Sequence, residues 1–162
     1  MSKIRRLLNF FRISRSDRHL LVISLIILAS IRLGLWLLPF RTLLKLLTKI
    51  SQPMSNAQIT NVTVGKIVWT VNAASRYMPG VKCLARALTT QVLMSRYGHS
   101  GQLRIGVTKG DRGNLEAHAW VEYQGRVAIG GLSNLSKFVP LPSLEAKRAD
   151  QMCDRPILTR IN

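Results

Sequence analysis

The chain of 162 residues holds two cysteines and three histidines, so few side chains could form a thiolate–imidazole couple. Cys83 follows the chain break Met78-Pro79-Gly80 and opens residues 81–97, whose spacing predicts a helix closed by Gly98. In the first turn of a helix, a cysteine meets unpaired backbone N–H groups and the positive end of the helix dipole. Both favour thiolate over thiol. The same N–H groups can receive the oxyanion of a tetrahedral intermediate, so one element would supply a nucleophile and its electrophilic support. A lone cysteine is more often a small buried core residue, so Cys83 by itself favours that role.

His118 supplies the other half. It sits in Glu116-Ala117-His118-Ala119-Trp120-Val121-Glu122, where strand alternation puts Glu116, His118, Trp120 and Glu122 on one face. His19 lies in a basic arm and His99 just past the helix end, so neither faces the helix start. A helix-start cysteine followed by a strand-borne histidine is the layout of papain-like and transglutaminase-like enzymes, in which the helix packs on an antiparallel sheet. No Cys-x-x-Cys, His-Glu-x-x-His or close ligand cluster points to zinc, and no cofactor is implied.

Candidates around this pair are weaker. Arg86, three residues after Cys83 and on the same helix face, is a candidate substrate-binding residue that could hold a carboxylate or raise the local positive potential. A surface ion pair explains it equally well. Trp120 could wall the site, although an aromatic in a strand is more often core. For a third catalytic residue, Glu122 and Glu116 share the face of His118, but two residues along a strand is ~6.6–6.8 Å, long for a direct bond. Asn134 could orient the imidazole as an asparagine does in papain-like proteases.

The elements that must position these groups read as helices followed by an antiparallel meander, an α+β class. Strands are expected at residues 102–108, 116–123 and 126–129, the last two joined by a tight turn at Gln124-Gly125. Before them, residues 55–77 and 42–50 read as helices, and a Pro-containing tail follows, wrapping the surface. The chain divides into a basic, Leu-rich N-terminal helical region, 1–52, and a core, 53–162. At this length one main core is expected. With Cys83 and Cys153 far apart in a chain too large to need stapling, a disulfide framework is not expected and a reducing cytosol suits the composition.

Charge is the other strong signal. Lys and Arg number 24 against 7 acids, a net charge of +17, and no acid lies between Asp17 and Asp111. Such a field attracts nucleic acid, anionic lipid or an acidic peptide. Against nucleic acid, there is no binding motif and no clustered aromatic platform. Residues 1–19 form a basic amphipathic pattern that could lie on a membrane, giving an expected location in the cytoplasm with peripheral contact at the inner membrane face. Residues 20–40 are long enough to span a bilayer, yet Arg32 stands near their centre and both flanks are basic. A packing helix ending near Pro39 is the expectation.

Three ordered blocks carry a family resemblance: Cys83-Leu84-Ala85-Arg86-Ala87-Leu88, Leu103-Arg104-Ile105-Gly106-Val107, and Ala117-His118-Ala119-Trp120-Val121-Glu122 with Gly125. Together they resemble the transglutaminase-like leader peptidase of lasso-peptide biosynthesis, as does the Leu-Leu-Pro-Phe-Arg end of the apolar segment, Leu37 to Arg41. The resemblance implies a cysteine peptidase that removes the leader of a ribosomally made precursor peptide, freeing an amine that a separate ATP-dependent, asparagine-synthetase-like cyclase would join to a carboxylate. It implies the protease half of a split protein, with a separate leader-binding recognition protein as partner, since no winged-helix-like segment precedes the core. The family places an Asp about a dozen residues after the His; Val127-Ala128-Ile129-Gly130-Gly131 stands there instead. Two alternatives stay open: an acyl transferase using the same Cys–His pair with an amine acceptor, and a non-catalytic, membrane-associated basic protein.

Overall fold

A computed structural model describes residues 14–51, 62–110 and 113–141. Four helices precede a four-stranded antiparallel sheet: α1 (Arg15–Leu37), α2 (Phe40–Ile50), α3 (Val64–Tyr77), α4 (Cys83–Arg96), then β1 (Gln102–Lys109), β2 (Leu115–Tyr123), β3 (Arg126–Ile129), a 3-10 turn (Leu135–Lys137) and β4 (Val139–Pro140). The expected α+β class is the observed one. The sheet order is β3-β2-β1-β4. Most boundaries lie within a few residues of the sequence expectation. The expected helix over 55–77 is seen from Val64, capped by the Thr63 hydroxyl, which accepts from the Lys66 amide. Its earlier part, the arm at 1–13, Cys153 and the tail beyond 141 lie outside the described residues.

The apolar segment forms α1 and stops before Pro39, whose ring cannot continue a helix. By length and composition α1 could cross a membrane. One face, however, is already committed to protein: Leu20, Leu21, Ser24, Leu28, Ile31 and Gly34 are buried. Leu20 enters a cluster with Ile67, Val71, Leu93, Ala119 and Val121, and Leu21, Leu28 and Ile31 enter a second with Leu43, Ala74, Leu88 and Val92. The first helix thus shares buried surface with α3, α4 and the sheet. Ser24 Oγ and Thr70 Oγ1, both fully buried, are hydrogen-bonded at 3.1 Å, which pins α1 against α3. Arg32, the charge that interrupts the apolar run, donates from Nη1 to the Pro79 carbonyl at 2.6 Å. That bond ties α1 to the loop leading into Cys83.

In the meander, Gln124 and Gly125 both have positive φ, 49° and 72°, as the expected two-residue turn requires. β1 and β2 pair throughout, with His118 opposite Gly106 and Trp120 opposite Arg104. On β3 the register slips by one: Val121 pairs with Ile129 while Glu122 pairs with Val127. The extra residue is a bulge, which bends the strand and re-aims the residues beyond it. The sequence expectation had the whole tail wrapping the surface. Instead, Val139 and Pro140 add a short strand to the edge of β1.

Candidate active site

Cys83 is the first residue of α4, after Lys82, whose side chain makes no cap. The first-turn N–H groups of a helix have no intrahelical partner. No acid stands in that turn. Cys83 is a free, partly buried thiol. Behind it, Ala87, Leu88, Leu93 and Met94 are buried, so the helix that carries the thiol is seated in the core.

His118 lies on β2, where Ala119 and Val121 are buried in the cluster shared with Leu93 and Met94. Its ring stacks on Trp120 at 6.3 Å with 15° between planes, and meets Phe138 at 5.6 Å. Gly106 opposite His118 makes room for this arrangement, since a Cβ there would come within 2.9 Å of both the Trp120 ring and Phe138. Cys83 and His118 line one small cavity with Arg86, Ala87, Ala119, Ile129 and Gly130. A broader depression beside the β2–β3 turn, lined by Val64, Tyr123 and Arg126, contains neither.

The ring nitrogen Nε2 of His118 lies 2.7 Å from the carbonyl oxygen of Gly130. A carbonyl only accepts, so Nε2 carries the hydrogen and Nδ1 is the nitrogen of the neutral ring left to take a proton. Gly130 has φ +84°, and a Cβ on it would sit 2.8 Å from the Ala119 oxygen. Only glycine permits this approach. Gly130 is the twelfth residue after His118, the stretch where no acid was found. The missing signal was a backbone atom, with the glycine pair Gly130-Gly131 as its one trace.

Other candidates are placed differently from expectation. Glu122 lies away from the imidazole: its Oε2 is 3.1 Å from Arg104 Nε and its Oε1 accepts from Trp120 Nε1 at 2.8 Å. Its ion-pair partner is therefore Arg104 on the neighbouring strand β1. Trp120 is 3% exposed and braces the His118 ring from within the fold. Asn134 is exposed at the start of the 3-10 turn, and the imidazole it was expected to orient is bonded instead to the Gly130 carbonyl. Phe138, which carries no signal in the sequence, flanks the imidazole because β4 docks on β1.

Arg86 lines the cavity. Its Nη2 donates to the Asn72 side-chain oxygen, and its Nε is buried without a partner among the described residues. No acid pairs with it there; the described ion pairs are Lys66–Asp17 and Arg104–Glu122. His99 is accounted for structurally, with Nε2 2.8 Å from the Val62 carbonyl and its ring edge-on to Tyr123. Among the described residues, no three His, Cys, Asp or Glu side chains gather as metal ligands would.

A helix-start cysteine lining one small cavity with a strand-borne, backbone-anchored histidine is a candidate thiol–imidazole site on an α+β scaffold. The chain belongs to the transglutaminase-like superfamily, whose profile matches residues 25–143. That span begins within α1 and ends beyond β4. No curated protein and no solved structure matches the chain.

Proposed function

We propose that this protein is a cysteine peptidase that removes the leader from a ribosomally made lasso-peptide precursor. The observation that carries the chemistry is the cavity shared by Cys83 and His118, with Nε2 of the imidazole committed to Gly130. The substrate class rests on the resemblance of the three sequence blocks.

In this reading Cys83 Sγ attacks the scissile carbonyl as His118 takes the thiol proton. First-turn amides of α4 donate to the oxyanion. As the tetrahedral intermediate collapses, the C–N bond breaks, His118 passes the proton to the departing amine of the core peptide, and a thioester joins the leader to Cys83. Water, deprotonated by His118, then attacks the thioester, releasing the leader carboxylate and restoring the thiol. The Gly130 carbonyl does the orienting work of a triad acid without carrying charge. Arg86, which lines the same cavity and pairs with no acid among the described residues, would lend positive potential to a substrate carbonyl or carboxylate there.

The free core amine would go to a separate cyclase, and a separate leader-binding protein would present the precursor. Both reactions suit the cytoplasm. Incubating the purified chain and its Cys83→Ala variant with a full precursor, with and without the leader-binding partner, and weighing the products tests the reading. Cleavage at the leader–core junction by the wild type and not by Cys83→Ala, faster with the partner present, is the expected result. A mass gain on adding an amine, with no hydrolysis, would replace peptidase by acyl transferase.

A further inference from the structure

We propose that the outer face of α1 rests on an anionic lipid surface, with the helix lying in the plane of the membrane. The helix is apolar on two opposite sides, whereas a surface helix of a soluble protein is polar on one. With Leu20, Leu21, Leu28 and Ile31 facing the core, the opposite side presents Val22, Ile26, Leu33, Trp36 and Leu37. At 100° per residue these five form one stripe, ~22 Å long from Val22 to Leu37. Trp36 is 82% exposed and Ile26 and Leu37 are each 60% exposed. An indole at the end of such a stripe suits the headgroup level, where one side is apolar and the other wet.

Charge decides which partner covers it. Arg15 and Arg18 continue the same stripe at its N-terminal end by the same helical spacing. On α2, Arg41, Lys45 and Lys49 form an exposed row at i, i+4 and i+8, opposite the buried Leu43 and Leu47. None of these five cations is in a described ion pair. An apolar stripe flanked by cations is the combination that binds anionic bilayers, through shallow insertion plus surface potential. The helix cannot also cross the bilayer, because its inner face, Ser24 and Arg32 are bonded to the rest of the protein.

Lipid binding by this face is independent of the peptidase chemistry. Its test is co-sedimentation of the full chain with vesicles of phosphatidylcholine alone and of phosphatidylcholine mixed with phosphatidylglycerol, across a salt series. The wild type and Cys83→Ala should bind the anionic vesicles equally, with binding weakening as the Debye length falls from ~10 Å at 0.1 M salt to ~3 Å at 1 M. Leu33→Ser/Trp36→Ser alters exposed positions and Arg15→Gln/Arg18→Gln an exposed and a partly exposed one, and each should lose at least ~10-fold in partitioning while keeping the wild-type circular dichroism. Carbonate should release the bound protein. Equal binding to neutral vesicles, retention after carbonate, or variants that bind like wild type would overturn the proposal. So would absence of vesicle binding together with a dimer that Leu33→Ser/Trp36→Ser dissolves, which would assign the stripe to a second copy of the chain.

Discussion

The imidazole of His118 on β2 donates from Nε2 to the backbone oxygen of Gly130, 2.7 Å away and just past the bulge of β3. The contact depends on a residue without a side chain, at a φ that L residues rarely adopt. It fixes the tautomer and tilt of the ring by main-chain geometry, at the place where the family resemblance implied an Asp.

Replacing Gly130 by alanine forces a Cβ against the Ala119 oxygen and must displace the carbonyl. Turnover of Gly130→Ala should fall by at least ~10-fold with KM little changed, since the base is misoriented and the substrate contacts remain. Gly125→Ala is the control: φ there is +72° but nothing lies within 4 Å of the added carbon. It should cost a similar ~1–2 kcal/mol of backbone strain in a denaturant melt and leave kcat unchanged.

Cys83→Ala should abolish cleavage while the thermal melt stays close to that of the wild type, because the thiol is only partly buried. Cys153→Ala should cleave normally. Mass spectrometry of the precursor digest reads both outcomes, and full activity in Cys83→Ala would remove the nucleophile assignment.

For the base, His118→Ala should lose ~10²–10⁴ in kcat. His99→Ala should instead lose stability, ~0.5–1.5 kcal/mol for its bond to the Val62 carbonyl, at unchanged kcat. Exchange of these two phenotypes would reverse the roles.

Glu122 separates a triad acid from a strand-pairing residue. Its ion pair with Arg104 is about one-third exposed on both sides, so Glu122→Gln should cost no more than ~1 kcal/mol and retain most activity. Asn134→Ala should likewise cleave at the wild-type rate. A loss of ~10⁴-fold in either variant would mean that it, and not Gly130, orients His118.

If a separate protein presents an acidic precursor or leader, cleavage should accelerate on its addition and that acceleration should shrink with salt, while hydrolysis of a short peptide at saturating concentration changes little. Rapid, salt-insensitive cleavage of the full precursor by this chain alone would show that it binds the leader through its own short-range contacts.

Much of this molecule is set by local rules. Pro39 ends α1 by geometry, Gly98 closes α4, Gln124-Gly125 turns β2 into β3, and alternation on β2 puts His118, Trp120 and Glu122 on one face. Each depends on residues a few positions apart, so type and spacing suffice. The candidate pair was legible for the same reason: Cys83 begins a helix and His118 occupies a strand.

Other relationships join residues distant in sequence. Arg32 reads as a charge inside a membrane-length segment until Pro79 is seen beside its guanidinium. Glu122 reads as a neighbour of His118 until the β1–β2 register delivers Arg104. Phe138 reaches the imidazole only because β4 pairs with β1. Least legible was the group that holds His118, for every residue has a carbonyl oxygen and no residue type announces which one will be aimed. The bulge, the positive φ and the close packing of Gly130 against Ala119 decide it, and those exist only once the strands have assembled.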